Sequence, residues 1–148
     1  MEITVETVSS ASPELVRAFE LLLPQLSATA APLDRAAVER LVTSDATRVL
    51  VARTPEGIVG SLTLVLLPLP SGVRARIEDV VVDAAARGRG VAGLLTREAL
   101  RLAQEAGART VDLTSRPDRE AANRLYERLG FRTRDSTVYR FVPDVRAE

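Results

Sequence analysis

The sequence predicts a mixed α/β fold built on one central sheet, antiparallel in its N-terminal half and parallel across its middle, with about four helices around it. Three observations predict it. Residues 47–82 hold three strand-like runs joined by two tight turns, which reads as an antiparallel meander. A helical run then separates the last of these from a further short strand, as a parallel crossover requires. Three further runs, Leu15–Leu23, Ala37–Val42 and Val91–Ala106, repeat their apolar residues at helical spacing.

The elements follow in chain order. Ile3, Val5 and Val8 sit among Thr4, Thr7 and Ser9, which predicts a strand over residues 2–8. Ser12-Pro13-Glu14 offers an N-cap and a proline at the first helical position. Leu15, Val16, Phe19, Leu22 and Leu23 then carry a helix to Leu23, where Pro24 is expected to stop it. Asp34 can cap a second helix with Ala37, Val38, Leu41 and Val42 as its apolar stripe. Connectivity suggests that the loop between these helices, Leu26–Leu33, lines a substrate entrance.

Thr47–Arg53 is a strand, Pro55-Glu56-Gly57 a hairpin turn, and Ile58–Leu67 the returning strand. The last is apolar on both faces and should lie centrally, covered on both sides. After a turn at Pro68–Gly72, Arg74–Val82 completes the meander. Val91, Leu94, Leu95, Ala99, Leu102, Ala103 and Ala106 mark the buried face of a helix that Gly107 is placed to end. Thr110–Thr114 is a short strand parallel to Arg74–Val82. A further helix runs from Pro117 to Gly130, and Phe131 onward, with Val138, Tyr139 and Phe141, is expected to form a last strand or hairpin.

With 148 residues, 46% hydrophobic and 27% charged, the chain is long enough for one globular domain, expected to span residues 1–148. Twenty basic residues balance twenty acidic ones, which argues against a general nucleic-acid binder. Cysteine and histidine are absent. That excludes disulfides, thiol nucleophiles, Ser-His triads and the usual zinc sites, so no metal is expected. Acid–base work must fall to Asp, Glu, Tyr or water. Met1-Glu2-Ile3 lacks the basic start of a signal peptide, and the longest apolar run, Ile58–Leu69, is too interrupted to span a bilayer. A cytoplasmic protein is expected, and the arginine-only basic set, with abundant Ala, Val and Leu, suggests a GC-rich bacterial source.

The stretch with most chemistry in it is Arg87-Gly88-Arg89-Gly90-Val91-Ala92, a glycine-rich turn between strand and helix. Such a turn leaves several backbone N–H groups unpaired and aimed at one spot. With the positive end of the helix dipole they make a site for an anion such as pyrophosphate. Gly88 and Gly90 permit positive φ and close approach, while Arg87 and Arg89 can add charge-assisted hydrogen bonds. The alternative is a basic loop that merely starts a helix. It is no Walker loop, since the chain contains no lysine, and it lacks the third glycine of a dinucleotide fingerprint.

Arg87-x-x-Gly90-x-Ala92 follows a strand ending at Val82, and Leu125-Tyr126-Glu127-Arg128-Leu129-Gly130-Phe131 lies on the last helix. With the order of elements, these features resemble the GNAT superfamily of N-acetyltransferases, which use acetyl-CoA. The family signature, Gln/Arg-x-x-Gly-x-Gly/Ala, is matched at residues 87–92, and the resemblance runs from Glu2 to Phe141. It implies that the strand ending at Val82 and the strand at Thr110 splay apart to admit acetyl-CoA. The pyrophosphate would then sit on the backbone of Arg87, Gly88, Arg89, Gly90, Val91, Ala92 and Gly93. The pantetheine amides would pair with Val80, Val81 and Val82 like an added strand. Core packing is the other role of those valines, and the two are compatible.

The resemblance also implies a direct transfer to a primary amine, with Tyr126 as the acid beside the thioester sulfur. A phenol is protonated at neutral pH and can donate; the alternative is a core aromatic. For the base, the resemblance points to Glu78, acting directly or through water, with Asp79 second, as a ligand for the substrate ammonium or a water-holder. Strand alternation puts Glu78 and Asp79 on opposite faces unless a bulge intervenes. Alternatively both are rim carboxylates paired with Arg74 or Arg76, and bulk water takes the proton. Many members carry an Asn seven residues before the tyrosine; here that position is Arg119. Asn123, one turn before Tyr126, can take over the contact to CoA, or Arg119 can reach a phosphate. The acceptor, a small-molecule or peptide amine, is left open. So is the homodimer that many relatives form. A non-catalytic CoA-binding sensor or scaffold is the alternative to an enzyme.

Overall fold

The computed structural model describes residues 2–143. The chain divides into two compact units, Met1–Ser115 and Arg116–Glu148.

The first unit carries one five-stranded sheet in the order β1-β2-β3-β4-β5. β1 is Thr4–Val8, β2 Thr47–Thr54, β3 Gly57–Leu69, β4 Gly72–Val82 and β5 Val111–Asp112. The first four strands pair antiparallel in sequence order, and β5 joins β4 in parallel. The meander and the crossover are therefore as the turns and periodicity predict. β5 is shorter than expected, with two residues in place of five.

Three helices cover the sheet. α1 is Pro13–Leu26, α2 Arg35–Val42 and α3 Val91–Glu105. The expected caps form: the Ser12 hydroxyl accepts from the Leu15 amide at 3.1 Å, and the Asp34 carboxylate from the Ala37 amide at 2.8 Å. Ala11, Leu15, Phe19, Val38 and Val42 pack with Val49 and Val51 into one core on this side of the sheet. Strand alternation turns Leu50 and Ala52 to the opposite face, where α3 packs with Val91, Leu95, Ala99 and Ala103 buried. Both faces of β2 and β3 are thus covered, and each fully buried leucine there contributes about 1.5–3 kcal/mol.

α1 does not stop at Leu23; it runs one turn further, with Pro24 inside it. Proline there removes only its own amide bond to the carbonyl four residues back. The last turn still closes, because the Ser27 amide donates to the Leu23 carbonyl at 2.9 Å.

The second unit holds one helix, α4, Glu120–Arg128. It starts later than Pro117 because Arg116–Arg119 forms a turn, closed by the Arg119 amide on the Arg116 carbonyl at 3.1 Å, with Pro117 at the position that favours proline. The expected last strand is not formed: residues 131–143 have no strand structure, and Val138, Tyr139 and Phe141 are exposed. Alternation of side chains marks a stretch that could pair, but a strand exists only once its amides and carbonyls meet a partner strand, and the described residues of this unit contain none. Residues 144–148 of that expectation lie outside the described residues. Among the described residues no helix is long and apolar enough to cross a membrane.

Candidate active site

The site residues of the first unit lie on one continuous stretch, from the second half of β4 into α3. Pairing of β4 with β3 breaks register in this stretch. Thr63 faces Glu78 and Ser61 faces Val81, so Asp79 and Val80 together oppose the single residue Leu62. This is a β-bulge. Asp79 takes up the extra residue with φ of +51°, in the left-handed region that a short polar side chain tolerates better than most. The alternation that would have sent Glu78 and Asp79 to opposite faces is therefore interrupted between them.

The two carboxylates have different surroundings. Glu78 Oε2 accepts from Arg76 Nε at 3.0 Å, an ion pair between residues two apart on the strand. Arg76 Nη2 also donates to the Thr114 hydroxyl at 3.1 Å. Asp79 makes no side-chain hydrogen bond or ion pair among the described residues. Desolvation, with repulsion from Glu78 added to it, raises its pKa above the ordinary aspartate value.

Beyond the bulge, one edge of β4 is open. β5 pairs with it only at Ala75↔Val111 and Arg76↔Asp112, flanked by backbone hydrogen bonds from Arg109 to Val73 and from Ala75 to Thr110. From Ile77 to Val82 no strand pairs on that side among the described residues, while β3 holds the other edge through Gly60↔Val82 and Ser61↔Val81. The parallel pair parts as the resemblance implies, and Val80, Val81 and Val82 border the gap.

A short 3-10 turn, Ala84–Ala86, follows, capped by Asp83, whose carboxylate accepts from the Ala85 amide at 3.3 Å. Then comes the glycine loop. Gly88 and Gly90 both sit at positive φ, +81° and +80°. Gly90 is the N-cap of α3, so no side chain caps the helix. The first helical bond is from the Leu94 amide to the Gly90 carbonyl at 3.1 Å, which leaves the amides of Val91, Ala92 and Gly93 pointing out of the helix end. A Cβ on Gly88 or Gly90 would meet nothing within 4 Å, so the space before the helix mouth is open. A 15-residue helix with three unpaired amides and no acidic cap presents a partial positive charge there.

Gly60 seats this helix mouth. A Cβ at Gly60 would stand 3.0 Å from Val91 Cγ1, 3.3 Å from Leu95 Cδ1 and 3.2 Å from the Val81 carbonyl. The first turn of α3 rests on the sheet at that point because the side chain is missing. The pairing of Glu78 with Arg76 is the alternative the sequence offered for both carboxylates, realised for Glu78 alone, whereas Gly60 and the Thr114 contact of Arg76 were not singled out. The trace of Gly60 was visible, however, as the break it makes in the apolar run Ile58–Leu69.

In the second unit, Tyr126 is the buried residue of α4. Its ring meets Phe131 edge-on, centroids 5.8 Å apart. Burial pushes the phenol pKa up, opposed by the charge of Arg119, so the hydroxyl keeps its proton at neutral pH. Asn123 spends its amide on the helix start, donating to the Arg116 carbonyl at 3.1 Å, which leaves its side-chain oxygen as the group that could meet a ligand. Arg119 stands at the N-cap position without a side-chain cap bond. No cluster of potential metal ligands occurs among the described residues.

The model of the "Acetyltransferase (GNAT) family" matches residues 15–131. Over 60 residues, 40% of this chain, the sequence is 43% identical to a protein of Oryza sativa subsp. japonica described as a probable glucosamine 6-phosphate N-acetyltransferase; that match spans 34% of the rice protein. Among solved structures, a transcriptional regulator from Bacillus halodurans C-125 superposes with a TM-score of 0.79 at 26% identity, covering 95% of this chain and 100% of that one. An acetyltransferase from Trypanosoma brucei does so with a TM-score of 0.76 at 27% identity, again over 95% and 100%. A family match of that extent settles the classification: the chain belongs to the GNAT family of acetyltransferases, which makes it an acyltransferase.

Proposed function

We propose that the protein transfers the acetyl group of acetyl-CoA directly to a primary amine. The observation that carries this reading is the juxtaposition of an uncapped helix mouth, behind Gly88 and Gly90, with the open edge of β4. Phosphate oxygens suit the amides of the Arg87–Gly93 loop, and amide groups of a pantetheine arm suit the edge of β4 at Val80–Val82 that β3 does not hold. Arg87 and Arg89 supply charge to the same end.

In the reaction the neutral amine attacks the thioester carbonyl, the C–S bond breaks, the amine loses a proton and the thiolate gains one. We assign proton acceptance, directly or through one water, to Asp79 in preference to Glu78. Asp79 has no side-chain partner among the described residues and desolvation raises its pKa, which improves it as a base; Glu78 is held by Arg76. Glu78 then adds negative charge that helps retain a substrate ammonium before deprotonation. A backbone amide of Val80 or Val81 at the bulge supplies the oxyanion donor. Tyr126 supplies the proton to the thiolate, and Asn123 adds a CoA contact through its side-chain oxygen.

Amino sugars are the first acceptors to try, because the rice relative is named for one. The test is a panel of amines, amino sugars first, incubated with acetyl-CoA while free thiol is followed. Acetyl-CoA should also raise the melting temperature, by ligand linkage. Absence of both effects overturns the reading. A second reading, a CoA-binding module without turnover, draws on the regulator from Bacillus halodurans that shares this fold. It predicts the thermal shift without thiol release from any amine.

A further inference from the structure

The side chain of Gln25 ties the end of α1 to the residues that lead from β4 into the glycine loop. Gln25 lies in the last turn of α1, immediately before the loop 27–34 that leads to α2. Its side-chain oxygen accepts from the Ala84 amide at 2.8 Å. Its side-chain nitrogen donates to Asp83 Oδ1 at 3.3 Å and to the Leu21 carbonyl at 3.2 Å. One carboxamide thus uses its oxygen and both of its N–H groups. Asp83 and Ala84 are the residues through which β4 passes into the glycine loop, and Asp83 is itself held by its amide on the Val59 carbonyl at 2.8 Å. The orientation of the Gln25 amide is set by chemistry. Turned over, it would set N–H against the Ala84 N–H and oxygen against the Asp83 carboxylate.

We propose that Gln25 is a positioning residue that couples the loop 27–34 to the cosubstrate loop Arg87–Gly93. This deepens the acetyl-CoA reading above and rests on it. The tie is between side chain and backbone on one side and between neutral amide and carboxylate on the other. It therefore fixes the direction in which the chain leaves β4, and with it the aim of the amides at the mouth of α3. The loop 27–34 is anchored to that same point by the covalent chain through Leu26. A change at Gln25 should disturb the binding of both substrates, although Gln25 belongs to neither loop.

The complementarity suggests a specific test. Gln25→Ala removes all three bonds. Gln25→Glu keeps the shape and the acceptor for Ala84 but faces Asp83 with a second carboxylate. Gln25→Glu combined with Asp83→Asn removes the facing charges and leaves the Ala84 bond, although Asp83 Oδ1 also accepts from the Ala85 amide and the Leu21 bond stays lost. The measurements are KM for acetyl-CoA and for the best amine, kcat, and melting temperature, each on all four proteins. KM for both substrates should rise about fivefold in each single variant at Gln25, the equivalent of one ordinary hydrogen bond. The double variant should lie nearer the parent than Gln25→Glu does, because the like-charge contact is gone. KM values unchanged in Gln25→Ala and Gln25→Glu overturn the coupling, even if melting temperature falls, since that is what a merely structural tie would do. Failure of the double variant to recover overturns it as well. A parent protein that acetyl-CoA does not stabilise is a separate result, which removes the reading beneath the coupling.

Discussion

Arg76 holds Glu78 in an ion pair at 3.0 Å, at the point where the parallel strands part. This relationship decides between two adjacent carboxylates. Arg76 occupies the Glu78 carboxylate, whereas Asp79 has no side-chain partner among the described residues and desolvation raises its pKa. Glu78→Gln should therefore lower kcat by no more than a few-fold. Asp79→Asn should lower it by about 10² or more, the usual contribution of a general base. Steady-state kinetics on the two variants decide the matter, and the reverse order would return the role to Glu78.

Asp79 also predicts a pH dependence of stability. Its folded pKa lies above the ordinary aspartate value of 3.8, so between the two values the folded state binds more protons than the unfolded state. Stability then falls as pH rises through that window; its full contribution is present below the unfolded value and is lost above the folded one. Asp79→Asn abolishes this loss and keeps a side chain that tolerates positive φ. The variant should be at least as stable as the parent at neutral pH, and the two should converge in acid. Asp79→Val, by contrast, puts a β-branched residue at φ of +51° and should cost about 1–3 kcal/mol. Urea unfolding at several pH values tests all three statements.

Gly90→Ala separates conformation from packing. The position has φ of +80°, but an added Cβ would meet nothing within 4 Å. The cost is therefore backbone strain alone, about 1–2 kcal/mol. If the chain relieves that strain by turning the loop, the aim of the Val91–Gly93 amides goes with it. The thermal shift given by acetyl-CoA should shrink, and KM for acetyl-CoA should rise more than kcat falls.

Gly60→Ala is the converse case. Its backbone is ordinary, but the new methyl would press on Val91, Leu95 and the Val81 carbonyl at 3.0–3.3 Å. Overpacking of this kind costs about 1–3 kcal/mol. It should also shift the first turn of α3 away from the sheet, so acetyl-CoA affinity falls alongside melting temperature. Ile58→Val, a nearby change in the other apolar cluster, should lower stability slightly and leave affinity alone.

The meander was legible because the turn chemistry at Pro55-Glu56 and Pro70-Ser71 is local, although both hairpins are tighter than expected: Gly57, Pro68, Leu69 and Gly72 pair within the strands. The caps at Ser12 and Asp34 were legible for the same reason. Pro24 misled, since the cost of a helical proline depends on how many bonds lie beyond it, and near a C-terminus few do. Val138, Tyr139 and Phe141 misled because strand formation is a property of pairs of segments, and a sequence shows one segment at a time. At the site, the glycine loop was plain. The bulge at Asp79 was allowed for but not fixed, since the register slip between Ser61 and Thr63 depends on two strands at once. Gly60 and Gln25 act through contacts with residues far along the chain, which periodicity cannot reveal.

Tyr126→Phe addresses the proton donor while sparing the packing. The ring would keep its edge-on contact with Phe131 at 5.8 Å, and no hydrogen bond to the hydroxyl is lost among the described residues. Melting temperature should move little. If the phenol protonates the leaving thiolate, kcat should fall about 10²-fold while the acetyl-CoA thermal shift persists. Because burial raises the phenol pKa above its ordinary 10.0, this group should hold its proton throughout the neutral and mildly alkaline range. The parent should then show no loss of kcat to tyrosine ionisation below that value. An unchanged kcat in Tyr126→Phe would remove the tyrosine from the chemistry and leave it as the buried aromatic of α4.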